Sequence, residues 1–152
     1  MVRQQLLKRL DTAWRDFAES YAGLSKAQLL QPGVTGAWSV RDIIAHVTTW
    51  EDEAVKHLPA ILDGCRPPRY SVTYGGIDAF NALMTTKMAG LSLSDVFRQQ
   101  SETHRRLIDV IERAPEVELT RETRFRRRLR LDTYGHYPKH ALAIWRWRER
   151  AP

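Results

Sequence analysis

Large apolar residues recur every three or four positions through most of the chain, the period of a helix with one buried face. Leu6, Leu10, Trp14, Phe17, Tyr21 and Leu24 form the first such stripe, with Lys8, Arg9, Asp11, Arg15, Asp16 and Glu19 between them. That spacing predicts a helix over about Arg3 to Tyr21. Ser25 and Gln28 have capping-box spacing at a short turn, which Gln31-Pro32-Gly33 closes. Ser39 then reads as the N-cap of a second helix, carried by Ile43, Ile44, Val47, Trp50, Ala54, Leu58, Ile61 and Leu62. Glu51 and Glu53 fall where solvent or the edge of a site is expected.

The Pro- and Gly-rich stretch from Asp63 to Gly76 reads as a loop, long for a hairpin between antiparallel helices. A crossover uses such a length, and it leaves the helices before and after it parallel. A helical piece follows from about Ile77 to Ala89, with Phe80, Leu83 and Met84 inward. Gly90 interrupts it, and Ser92 with Asp95 starts the next helix. There Val96, Phe97, His104, Leu107, Ile108 and Ile111 make the stripe, as far as Ala114-Pro115. The last helix has Asp132 or Thr133 as its N-cap and Pro138 in its first turn, where a missing amide costs nothing. No stretch reads as a strand. The expected fold is all-α: a four-helix bundle over residues 1–152 as a single domain, with a long crossover between helices two and three.

Histidine placement adds chemistry to this frame. His136 and His140 are four apart and share a helix face with Ile144; Tyr137, Ala141 and Trp145 lie beside it. His46 falls on the inner margin of the second helix, one turn before Trp50. Two helices could thus bring three imidazoles together at one end of the bundle, a fair set of ligands for a divalent metal. A lone His-x-x-x-His pair is a weak signal, and His46 alone would read as a hydrogen-bonded core residue. Asp42, at the third position of its helix, suits the helix terminus; it also lies one turn before His46 and could orient it. His104 is either a buried structural histidine or a polar group lining the same cavity. His57 lies roughly 16 Å along the axis from His46, too far to share an ion, and reads as a rim residue.

Composition narrows the options. Cys65 is the sole cysteine, so there is no intrachain disulfide and no thiolate cluster; ligands must be His, Asp, Glu or water. Neutral imidazole suits zinc, nickel or ferrous iron, with zinc or nickel the expected cofactor, and affinity should fall below about pH 6 as imidazole protonates. No apolar run approaches the ~20 residues of a membrane span, and the opening residues lead straight into an amphipathic pattern, so a cytoplasmic protein is expected. The net charge of +6 is concentrated in Arg121, Arg124, Arg126, Arg127, Arg128 and Arg130. These arginines form either a nucleic-acid or anion-binding patch, or a solvated connector whose cations pair with neighbouring acids. Base stacking would want interleaved aromatics, and Phe125 is the only one there.

The run Gly36-Ala37-Trp38-Ser39-Val40-Arg41-Asp42-Ile43-Ile44-Ala45-His46, with Trp50-Glu51, resembles the second-helix signature of the DinB/YfiT-like metal-binding bundles. Asp132-Thr133-Tyr134-Gly135-His136-Tyr137-Pro138-Lys139-His140, with Ile144 and Trp147, resembles their last-helix signature. Phe80-Asn81-Ala82 through Ser101-Glu102-Thr103-His104 is similar to the ClbS/DfsB-like branch, which includes proteins that protect cells from a DNA-damaging warhead. The resemblance implies metal ligands at His46, His136 and His140 and often a homodimer, an assembly that five Trp and five Tyr also suit. Activities in the wider family range from thiol-dependent transfer and isomerisation to hydrolysis. The protection protein lacks the three histidines, so its route cannot be carried over to this chain. Two classes of function follow. One is a metal-dependent hydrolase or thiol-dependent transferase acting on a small electrophile, with Trp50, His104, Tyr137, Tyr70 and Tyr74 around the pocket. The other is a non-catalytic bundle that sequesters a small molecule or binds DNA or another anion.

Overall fold

In the computed structural model, which describes residues 2–150, the helices in chain order are α1 (Val2–Tyr21), α2 (Lys26–Leu30), α3 (Val40–Leu62), α4 (Tyr70–Thr73), α5 (Ile77–Met88), α6 (Leu93–Arg113), α7 (Glu116–Leu119), α8 (Arg124–Asp132) and α9 (Tyr137–Arg150). The four strongest stripes become the long helices α1, α3, α6 and α9. The all-helical fold is as the pattern predicts, but a count of four understates it. The segment after Ser25 is the helix α2, the long loop contains α4, and the arginine-rich connector is the helix α8. Among the described residues the only β pairing is a single bridge between Thr35 and Trp38.

Capping fixes where the core helices begin. The Ser39 hydroxyl accepts from the Asp42 amide at 3.1 Å, and the Asp42 carboxylate accepts from the Ser39 amide at 3.0 Å. Such a cap is worth about 1 kcal/mol. Asp42 therefore has the helix-terminus role, and it also pairs with Arg41 at 2.9 Å. Arg41 donates onward to the carbonyls of Met88 and Leu91, tying the start of α3 to the α5–α6 junction.

Helix directions follow from which residues meet. Arg41 touches Leu91, Glu51 bonds His104, and Asp52 lies by Arg106, so α3 and α6 run parallel. The long crossover is therefore real, although α4 and α5 occupy it. The α1 helix is antiparallel to α6, since Arg3 reaches Ile111 while the Tyr21 hydroxyl accepts from Gln100. It runs alongside α9, with Arg9 over Tyr134 and Arg148 bonding the Ser20 carbonyl. Leu10, Phe17, Ile43, Ile44, Leu58, Leu107, Ile111 and Ile144 are fully buried between these helices.

One side chain leaves its expected place. Leu83 is exposed, because α5 packs on α3 through Phe80, Asn81 and Met88, and Phe80 is its one fully buried side chain. Trp147 is buried and Trp145 is exposed, as a separation of two residues on a helix demands.

Candidate metal centre

The turn between α8 and α9 sets the histidine pair. Neither Asp132 nor Thr133 caps α9: Asp132 ends α8, and the Thr133 hydroxyl turns back to donate to the Leu129 carbonyl at 2.6 Å. The Thr133 carbonyl instead receives the amides of His136 and Tyr137 at 2.7 and 3.0 Å. Gly135 brings its amide to the Arg130 carbonyl at 2.9 Å, so close that a Cβ there would sit 2.7 Å from that oxygen. His136 is thus the last residue of the turn and His140 lies in the first turn of α9. Pro138 occupies that first turn, as expected.

These placements bring the three imidazoles to one point. His136 Nε2 lies 3.2 Å from His46 Nε2 and 3.0 Å from His140 Nε2. One nitrogen from each ring falls within 4.8 Å of the others. Two ligands of a tetrahedral zinc at ~2.05 Å would stand about 3.3 Å apart, so the His46–His136 and His136–His140 pairs fit to within a few tenths of an ångström. The electrostatics fit as well. Burial comes first and the Lys139 cation second in holding His46 down at about 4. Burial, then the other two histidines, takes His136 to about 2; burial, then His46, takes His140 to about 3. All three rings are therefore neutral at physiological pH, the form that ligates.

A cleft of about 290 Å³ opens beside the triad. His46, Trp50, Tyr70, Asn81, Asp132 and His136 face it from four helices and the α8–α9 turn, and the Trp50 indole donates to Asn81 Oδ1 at 3.0 Å. One wall is a polar network. Arg128 donates to Asp132 Oδ2 and to the Tyr70 hydroxyl, each at 2.6 Å, and Tyr70 donates to Glu53 Oε1 at 2.8 Å. Burial pushes the Asp132 carboxyl up to about 6 against the pull of Arg128. Burial also raises the Tyr70 phenol, so its proton stays on.

Of the residues expected around the pocket, Trp50 and Tyr70 line it, while Tyr74 stacks behind Tyr70 against Phe80. His104 belongs to another cluster: its Nδ1 lies 2.8 Å from Glu51 Oε1 and its ring stacks on Trp14 at 3.9 Å. Tyr137 is fully buried, with its hydroxyl by Glu51 but no aligned hydrogen bond to it. Of the two places expected for Glu51 and Glu53, solvent is wrong, since both are buried with His104 and Tyr70 as partners, while Glu53 does stand at the edge of the site behind Tyr70. His57 sits at the rim 3.6 Å from Glu53. The sequence reading missed Arg128, Asp132, Asn81 and Lys139; the four-residue spacing of Arg128 and Asp132 was the available signal.

The arginine-rich segment is mostly committed to the fold. Arg124, Arg126 and Arg127 donate to the carbonyls of Cys65, Leu119 and Glu122, and Arg130 forks onto the Glu122 carboxylate at 2.7 and 2.8 Å. Phe125 and Leu129 bury the inner face of α8 against α3.

A helical bundle that gathers three neutral imidazoles beside a cleft defines a class: bundles with a metal-binding potential carried on one helix and at the entry to another. The chain belongs to the DinB superfamily, whose family model matches residues 9–143. An uncharacterised protein from Escherichia coli UTI89 shares the fold at a TM-score of 0.80 and 14% identity, covering 97% of this chain and 93% of that one. No curated protein matches the chain. No helix among the described residues is long and apolar enough to cross a membrane.

Proposed function

We propose that the protein binds a divalent metal, zinc or nickel, through His46, His136 and His140, and that it is a metal-dependent hydrolase or thiol-dependent transferase for a small electrophile. The convergence of three imidazole nitrogens beside the 290 Å³ cleft carries this reading. Bound there, such an ion supplies a Lewis acid that polarises a carbonyl or lowers the pKa of a water or thiol. The protein's own groups do the rest. Trp50 and Tyr70 wall the cleft and exclude water, and Asp132, with a carboxyl near neutrality, can take up or return a proton at the cleft wall.

Membership of the ClbS/DfsB-like branch, a cytoplasmic location and homodimer formation belong to the same proposal. Exposed Leu142 and Trp145, three apart on α9, support the dimer, and light scattering at micromolar concentration tests it. A bundle that only sequesters its ligand would keep the cleft and the metal without turnover. Nucleic acid is the less favoured partner, since most arginines of the basic segment already hold protein oxygens. Metal analysis of the purified protein, followed by assays of thiol addition and hydrolysis on small electrophiles with and without chelator, tests the reading. Turnover that chelator abolishes supports the enzyme; metal binding without turnover supports sequestration.

A further inference from the structure

Which ligand the cleft accepts can be read from the groups that remain uncommitted around it. Arg128 gives its Nε donor to Asp132 and an Nη2 donor to Tyr70, so the Asp132 carboxylate already balances its charge. The Tyr70 hydroxyl is also spent, giving its proton to Glu53 and accepting from Arg128. Asn81 uses its oxygen on the Trp50 indole, which leaves its amide N–H groups at the cleft. Lys139 lines the same cleft, is exposed, and has no hydrogen bond or ion pair among the described residues. Among the described residues lining the cleft, Lys139 is thus the cation without an acidic partner, and the Asn81 amide is a neutral donor beside it. The mouth is apolar: Ile77 is 55% and Leu131 68% exposed, and both line the cleft in front of Trp50. Large apolar side chains left bare at a concave site mark a ligand's path.

We infer that the cleft selects small organic carboxylates with an apolar body, the anionic end meeting Lys139 and Asn81 and the apolar part lying between Ile77, Leu131 and Trp50. This rests on the metal-site reading for the identity of the site, but not for the force that holds the anion. Lys139 adds a donor that does not depend on any ion. A charge-assisted hydrogen bond in a partly enclosed cleft is worth about tenfold or more in affinity.

The probes are 3-phenylpropionate and its neutral counterpart 3-phenylpropan-1-ol, titrated calorimetrically into wild type and Lys139→Gln, each metal-free and zinc-loaded. Zinc binding itself is measured in parallel. The carboxylate should bind metal-free wild type about tenfold more tightly than the alcohol, and Lys139→Gln should erase that preference while leaving alcohol binding unchanged and zinc binding no weaker. Equal affinities for the two probes in metal-free wild type would overturn the inference. So would a carboxylate preference that survives Lys139→Gln or exists only with zinc, since the ion would then be the anion's sole partner. Failure of zinc to bind, with the carboxylate preference intact, would sink the metal reading and leave this one standing.

Discussion

His46 and His136 bring their Nε2 atoms to 3.2 Å although ninety positions separate them in the chain. Two rings that close, each desolvated, gain little from one shared proton and lose the water each had. An ion held by His46, His136 and His140 would take up these lone pairs and relieve the crowding. Zinc or nickel titrated into the apo protein should therefore bind and raise the unfolding midpoint by mass action. Alanine at His46, His136 or His140 should weaken binding by more than the roughly 10–100-fold that loss of a supporting partner behind a ligand costs. His57→Ala, at the rim and paired with Glu53, should leave it nearly unchanged. Calorimetry on the four variants decides; wild-type affinity in His46→Ala would break the three-histidine site.

The acid limb of that binding should sit lower than free imidazole would place it. Folded His46, His140 and His136 hold near 4, 3 and 2, against an ordinary 6.5. Protons therefore compete with the metal only near those lower values, and affinity should persist to about pH 5. The same shifts govern stability without metal. The unfolded chain takes up protons first as pH falls below 6.5, so stability present above that value is lost as pH drops toward 4 and below. Asp132, raised to about 6 from an ordinary 3.8, works in the opposite direction over part of that window. Urea midpoints of apo wild type and His46→Gln at pH 7, 5.5 and 4.5 measure this: the variant should lose less between 7 and 4.5.

How much of this the sequence disclosed depended on whether local geometry or distant neighbours decided the outcome. The four-residue step from His136 to His140, and the phase of His46 in its stripe, are local, and the fold does bring the three together, although His136 stands in the turn just ahead of α9 rather than on the helix. The Ser39–Asp42 box is local too. The burial of Glu51 and Glu53 was not legible because charge normally predicts solvent, and it takes His104 from α6, Tyr70 from α4 and the nearby His57 to make it tolerable. Thr133 looked like a helix cap, yet its hydroxyl answers to Leu129 in the preceding turn. The arginine segment is helical because Phe125 and Leu129 find α3, a contact invisible in a run of cations.

Gly135 is the tightest point of the α8–α9 turn. An added Cβ would stand 2.7 Å from the Arg130 carbonyl oxygen, which belongs to backbone and cannot swing aside. Gly135→Ala should cost about 2 kcal/mol of stability as the turn opens. It should also weaken metal binding, because His136 follows directly and would move relative to His140. Urea denaturation and metal titration of the same variant read the two effects; an unchanged midpoint would mean that the turn is more compliant than its geometry implies.

The Glu51–His104 pair makes the sharpest stability prediction. Glu51 is fully buried, its other oxygen has no partner, and burial raises its carboxyl against the pull of the imidazole. His104 stacks flat on Trp14, so the pair is clamped between α1, α3 and α6. Removing one member strands the other: His104→Ala should cost about 3 kcal/mol or more, through the unpaired carboxyl and the cavity beside Trp14. Replacing both with apolar residues of similar size removes the desolvation burden along with the bond. The double variant Glu51→Met with His104→Leu should therefore recover much of the loss and come close to wild type. Metal affinity should stay near wild type in the double variant, because neither residue faces the cleft. Urea unfolding of the two single variants and the double variant closes the cycle. Single losses that merely add would show that the pair acts as two independent packing residues, and that the hydrogen bond between them stabilises nothing.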